Sequence, residues 1–147
     1  MSRQYLSLEL IGYWRDANRT EIPSDGGVFC VYGGEYDAAT GDYSLHRLIY
    51  IGESRNVSYA IAHHETRERW LAKLGDNEEL CYSIGVVYYT MRERCAAALI
   101  HEHRPLANKR EAIETFTFDE TEMVLSGKTR LLNNHFIVSP EGKSGVT

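Results

Sequence analysis

The sequence predicts an α+β fold: a small mixed or antiparallel sheet with flanking helices. Three observations lead there. Short β-branched and aromatic runs recur between turn residues, at Val28–Tyr32, Leu48–Gly52 and Leu80–Tyr89. An alanine-rich stretch free of glycine and proline runs from Met91 to His103 and predicts a helix. The chain has 147 residues, 43% hydrophobic and 25% charged, a globular balance with enough length to bury a core.

Taken in order, Tyr5–Ile11 half alternates and predicts a strand. Asp25-Gly26-Gly27 is turn chemistry, and the strand Val28-Phe29-Cys30-Val31-Tyr32 follows until Gly33-Gly34. Glu35–Ser44 reads as a polar hairpin excursion, from which Leu48-Ile49-Tyr50-Ile51-Gly52 returns antiparallel to the first run. Asn56 is the N-cap of a helix whose stripe is Val57, Ala60, Ile61 and His64, at i, i+3, i+4 and i+7. That helix continues or breaks near His64, before Trp70–Leu74. Gly75-Asp76-Asn77 turns the chain into the strand Leu80–Tyr89, and Pro105 stops the helix after it. The order is β-β-α-β-α. Farther on, Phe116–Phe118 and Phe136–Val138 read as short edge strands or an added hairpin, and the tail from Pro140 as frayed. No repeat, low-complexity tract or linker divides the chain. The reading is a single domain over 1–147, with its core at about 26–110 and a C-terminal extension over 111–147.

Composition removes several classes of function. No apolar run approaches the roughly 20 residues that span a bilayer, and the N-terminus lacks a signal-peptide core, so the expectation is a cytoplasmic protein without a membrane partner. Three cysteines, Cys30, Cys81 and Cys95, lack CxxC spacing and read as buried small hydrophobes. His101 and His103, two apart on a helix, do not form a zinc pair. The formal charge of −5 argues against wholesale polyanion binding. Residues 44–110 hold ten basic and eight acidic side chains, which permits a nucleic-acid surface there without demonstrating one.

Three pieces line up in one order: Gly27-Val28-Phe29, then Tyr50-Ile51-Gly52, then Leu99-Ile100 ahead of Pro105-Leu106-Ala107-Asn108. Over about residues 26–110 this resembles the GIY-YIG nuclease family. The resemblance implies a metal-dependent DNA endonuclease that hydrolyses phosphodiester bonds with Mg²⁺ or Mn²⁺. It places Tyr50 near the scissile phosphate as a general base or water-orienting group, and His64 beside it. Phe29 stands at the first-motif tyrosine and lacks its hydroxyl, with Tyr32 the phenol nearby in sequence. Ala60 stands at the phosphate-binding arginine and Ala96 at the metal-binding glutamate, so metal binding by this chain is expected to be weak or absent. Arg55, Arg94, Lys109 and Asn108 are candidate nucleic-acid contacts; salt links for the cations and local backbone bonding for Asn108 are the structural alternatives.

The two alanines fall where the chemistry needs charge most. A carboxylate holds Mg²⁺, which acts as Lewis acid and template. An arginine grips phosphate oxygens through a fixed fork of donors. A phenol with a reference pKa near 10 is only about a thousandth ionised at neutral pH, so Tyr50 as a base needs a neighbouring cation. A deliberate double substitution fits the alanine pair at least as well as natural drift. The expected function is therefore an endonuclease in an inactivated form, binding DNA, with a homodimer one route to cutting both strands. The alternatives are a non-catalytic nucleic-acid-binding module on a nuclease scaffold, and a protein-interaction domain using the acidic ends.

Overall fold

Alternation along the strand after Asp25–Gly26 sets the layering, because its side chains are buried on both faces. In the computed structural model, which describes residues 3–140, the strands are β1 (Gln4–Arg15), β2 (Gly27–Asp37), β3 (Asp42–Ser54), β4 (Glu79–Val86), β5 (Thr121–Gly127) and β6 (His135–Val138). The helices are α1 (Val57–Ala62), α2 (Arg67–Ala72), α3 (Arg92–His103) and α4 (Arg110–Glu114), with a 3₁₀ turn at Asp16–Glu21. The fold is α+β. One mixed sheet has the order β3-β2-β4-β1-β5-β6, antiparallel throughout except for the parallel β1–β5 pair. On β2, Val28, Cys30 and Tyr32 face a core shared with α3 and the C-terminal segment. Phe29 and Val31 face a second core shared with α1 and Trp70 of α2.

Several boundaries differ from the sequence reading, each for a physical reason. The opening strand is longer than Tyr5–Ile11 and lies inside the sheet, between β4 and β5, so the β-β-α-β-α series is preceded by a strand. The hairpin excursion at Glu35–Ser44 is mostly ladder: β2 and β3 stay paired out to Asp37 and Asp42. β4 stops at Val86, because its partner β2 begins at Gly27, opposite Val86; Tyr88 and Tyr89 lie beyond it, 83% and 78% exposed.

Phe116–Phe118 is not a strand. Phe116 is buried, its ring 5.8 Å from Phe118 and 6.0 Å from His101, so this segment is held by its rings without a ladder. The strand of the extension is instead β5, where Thr121, Met123 and Leu125 alternate inward. Phe136–Val138 does fall on a short edge strand, β6. Of the expected frayed tail, all after Pro140 lies outside the described residues.

The stripe through His64 is also cut short. α1 ends at Ala62, with His63 as its C-cap, and a second helix starts at Arg67. A partly buried ion network fixes where that second helix sits. Arg67 donates from both terminal nitrogens to the two oxygens of Asp16, at 2.9 and 2.7 Å, and Tyr82 of β4 donates to the same carboxylate. Burial pushes the Asp16 carboxyl up, but the Arg67 and Tyr82 hydrogen bonds outweigh it and hold the group below its ordinary 3.8. α2 is thereby tied to the central sheet through the 3₁₀ turn.

Asp16→Ala is expected to destabilise the fold by about 1.5–3 kcal/mol, the range for a hydrogen bond to a charged group, measured by urea denaturation. The depressed carboxyl contributes stability that is present above pH 3.8 and lost as the pH falls below it, so Asp16→Asn should flatten the acid limb of stability against pH.

Candidate functional site

β3 is an edge strand, and its outward backbone groups need partners. The segment after Pro105 supplies them: Leu106 N–H donates to Leu48 O at 3.2 Å and Ala107 N–H to Ile49 O at 2.7 Å. The Asn108 carboxamide completes the set, accepting from Ile51 N–H at 3.0 Å and donating to Ile51 O at 2.9 Å. Asn108 bonds backbone, but that of a distant strand and not its own neighbourhood as the local alternative had it, and in doing so it fixes one wall of a cleft.

A β-bulge aims Tyr50 toward that cleft. Val31 pairs with Tyr50 and Tyr32 with Leu48, which leaves Ile49 as the extra residue. Ile49 and Tyr50 consequently both pack toward the second core, while Ile51 faces the first.

The cleft, about 360 Å³, opens at this edge. Its floor is β3 from Tyr50 to Glu53; His64, Glu65 and Thr66 come from the α1–α2 connection, and Arg69 from α2. Ala96 and Ile100 of α3 form another wall, with Asn108, Lys109 and Ala112 beside them. Tyr50, His64 and Ala96, distant in sequence, therefore share one cavity. The rings of Tyr50 and His64 are 5.0 Å apart, and both lean on the buried Trp70, at 5.3 and 4.9 Å.

His64 enters the cleft from the connection after α1 and not as a fourth point on a helical stripe, because α1 has already ended. Thr66 holds its ring: Thr66 N–H donates to His64 Nδ1 at 3.1 Å, and Thr66 Oγ1 lies 2.8 Å from the same nitrogen. Burial lowers the His64 pKa from 6.5, with Glu65 opposing and Arg69 adding to the shift. Burial raises the Tyr50 phenol above 10; Arg69 draws it down, while Glu65 and Glu53 push it up. Tyr50 is accordingly protonated at neutral pH, a donor or orienting group here and not a ready base.

The remaining sequence candidates separate. Ala60 is half-buried on α1 against the second core and does not line the cleft. Phe29 is 1% exposed, behind the cleft wall, with its ring 6.1 Å from Tyr50 and 6.0 Å from His64. Tyr32 cannot lend the hydroxyl that Phe29 lacks, because it faces the opposite core and bonds Ser83 at 3.3 Å. Arg55 is exposed beyond the end of β3, outside the cleft. Arg94 is engaged elsewhere: Nε donates to Thr121 Oγ1 and Nη2 to Asp119 O, each at 2.8 Å, and it pins α3 to the extension. The salt link offered for Arg94 does not form among the described residues; its partners are a hydroxyl and a backbone carbonyl.

Sequence reasoning missed Arg69, Glu53, Glu65 and Thr66. Arg69 forms no ion pair among the described residues, whereas Glu53 is paired with Arg92 at 2.8 Å. No periodic signal separates Arg69 from Arg67 two residues earlier; only the fold shows that Arg67 turns to Asp16 while Arg69 lines the cleft.

Ala96 offers a metal ion no ligand, and of the two carboxylates in the cleft lining Glu53 is held by Arg92, which leaves Glu65 on the α1–α2 connection.

Asn108→Ala should cost about 1–3 kcal/mol, two hydrogen bonds' worth, read by urea denaturation, with faster amide exchange at Ile51. His64 and His103 are both held below 6.5 chiefly by burial, so the unfolded chain binds their protons more readily. Stability from both is present above pH 6.5 and falls as the pH drops through the depressed native values; His64→Gln should flatten that decline. Among the described residues, no helix is long and apolar enough to cross a membrane. No family model, curated protein or solved structure matches the chain.

Proposed function

We propose that this chain is a DNA-binding domain of the GIY-YIG nuclease type whose cleft, as the sequence stands, is unfit for metal-dependent hydrolysis. The observation that carries the reading is the convergence of Tyr50, His64 and Ala96 on one cleft beside Asn108 and Lys109. Three positions matched to the family pattern, from separate parts of the chain, line one cleft; Ala60, the position matched to the phosphate-binding arginine, lies on α1 outside that lining.

The chemistry of the lining agrees. A protonated Tyr50 hydroxyl, the Arg69 guanidinium and the Lys109 ammonium all present donors, and two of them carry fixed charge. That suits a phosphodiester anion. Hydrolysis asks for more: an activated water and stabilisation of the departing oxygen. With Ala60 and Ala96 the groups the family uses for this are absent, so the domain binds without cutting.

The test is reversion. This chain should cleave supercoiled plasmid negligibly, and Ala60→Arg with Ala96→Glu should bring Mg²⁺-dependent nicking. A folded double variant that cleaves no DNA under varied conditions would remove the nuclease reading. Binding alone is tested by Arg69→Ala and Lys109→Ala. Each should weaken duplex binding across unrelated sequences and lower the slope of log affinity against log salt by about 1. Affinity independent of salt would instead favour a protein-interaction surface.

A further inference from the structure

The bond from Thr66 to His64 determines more than the orientation of a ring. A backbone N–H can only donate, so the nitrogen it points to must carry a lone pair. Thr66 N–H points at His64 Nδ1 from 3.1 Å. The Thr66 hydroxyl, 2.8 Å from the same atom, is by itself ambiguous, since a hydroxyl can donate or accept. The backbone donor removes the ambiguity: a proton on Nδ1 would face the Thr66 N–H head-on. The neutral ring must therefore carry its proton on Nε2.

Nε2 has no hydrogen-bond partner among the described residues. Nor is it buried, because Trp70 Nε1 is the one side-chain atom there that is both buried and unpartnered. Nε2–H is thus an unpartnered donor with some exposed surface, on a residue that lines the cleft. The charged and titratable neighbours are Glu65, which favours a second proton on the ring, and Arg69, which disfavours it; Tyr50 and Trp70 pack against the ring itself.

We infer that Thr66 is a positioning residue that locks His64 as the neutral Nε2–H tautomer, and that His64 serves the cleft as a hydrogen-bond donor to a phosphate oxygen. It is not the proton acceptor. To accept a proton at Nε2 the ring would have to move its own proton to Nδ1 and break the bond from Thr66. The tautomer stands on this geometry alone; the phosphate as its ligand rests on the reading of the cleft proposed above.

Two measurements on the full chain test this. Two-bond ¹⁵N–¹H correlation at neutral pH reports the tautomer of each histidine. His64 should show the Nε2–H pattern, and Thr66→Ala, which keeps the backbone donor, should preserve it. An Nδ1–H pattern, or a fully protonated ring, overturns the inference. The second measurement adds inorganic phosphate or a single-stranded thymidine oligonucleotide. Either should shift the His64 Nε2–H signal, and His64→Phe should weaken oligonucleotide binding about tenfold, as expected for losing a hydrogen bond to a charged group. His64→Gln, whose amide can also donate, should recover most of that loss.

The outcomes separate the two readings. A wrong tautomer with DNA binding still sensitive to Arg69→Ala and Lys109→Ala sinks the role of Thr66 and leaves the cleft reading standing. The right tautomer with no response to phosphate or oligonucleotide, and no DNA binding at all, overturns the donor role together with the nuclease-type reading.

Discussion

The closure of the outer edge of β3 is the constraint on which the site depends. An edge strand presents backbone donors and acceptors that must find partners or water. Here the partners from Leu48 to Ile51 are two backbone N–H groups and the carboxamide of Asn108. Asn108 acts as a one-residue substitute strand, presenting a donor and an acceptor to the same residue of β3. Because the covering segment runs straight into Lys109 and α4, satisfying the edge also brings a cation to the cleft. The bulge at Ile49 supplies the opposing element by turning Tyr50 to the face where α1 and α2 pack.

The cleft is asymmetric in its electrostatics. Its donors are numerous, and of its two carboxylates one is already neutralised by Arg92. Burial pushes Tyr50 and His64 in opposite pKa directions, yet with the same outcome: both remain uncharged at neutral pH. Fixed charge is left to Arg69 and Lys109. The lining thus pairs fixed positive charge with two aromatic rings that are neutral at neutral pH.

Much of the sheet was legible because it rests on local pattern. Val28–Tyr32 and Leu48–Gly52 are bounded by turn residues, and Met91–His103 is free of breakers, so the helix is placed almost to its ends and the two strands by the ends nearer the site, though not by their hairpin ends. What stayed hidden was non-local. The position of β1 between β4 and β5 comes from pairing across the whole chain, which no window reveals. β5 pairs with β1 at the other end of the chain, and its alternation of Thr121, Met123 and Leu125 is too short to mark it locally. In the site, Tyr50, His64 and Ala96 were reachable through motif spacing. Ala60 falls outside the cleft lining and Arg94 is held by Thr121 and the Asp119 carbonyl, because helix face and hydrogen-bond partners are decided by tertiary packing. Arg69 carries no sequence mark at all: its relevance comes from where Arg67 points.

The parallel ladder between β1 and β5 has a bearing on how the molecule is made. Gln4 sits opposite Thr121 and Leu10 opposite Gly127, so β1 waits for a strand far downstream before that side is covered. Contacts so far apart in the chain slow folding, since a long loop must close before they are rewarded. During translation β1 can meet β4 early but stays open on its other side. A nascent chain halted short of β5 would carry a bare strand able to pair with a neighbour, which makes the extension a guard against self-association as well as a part of the core.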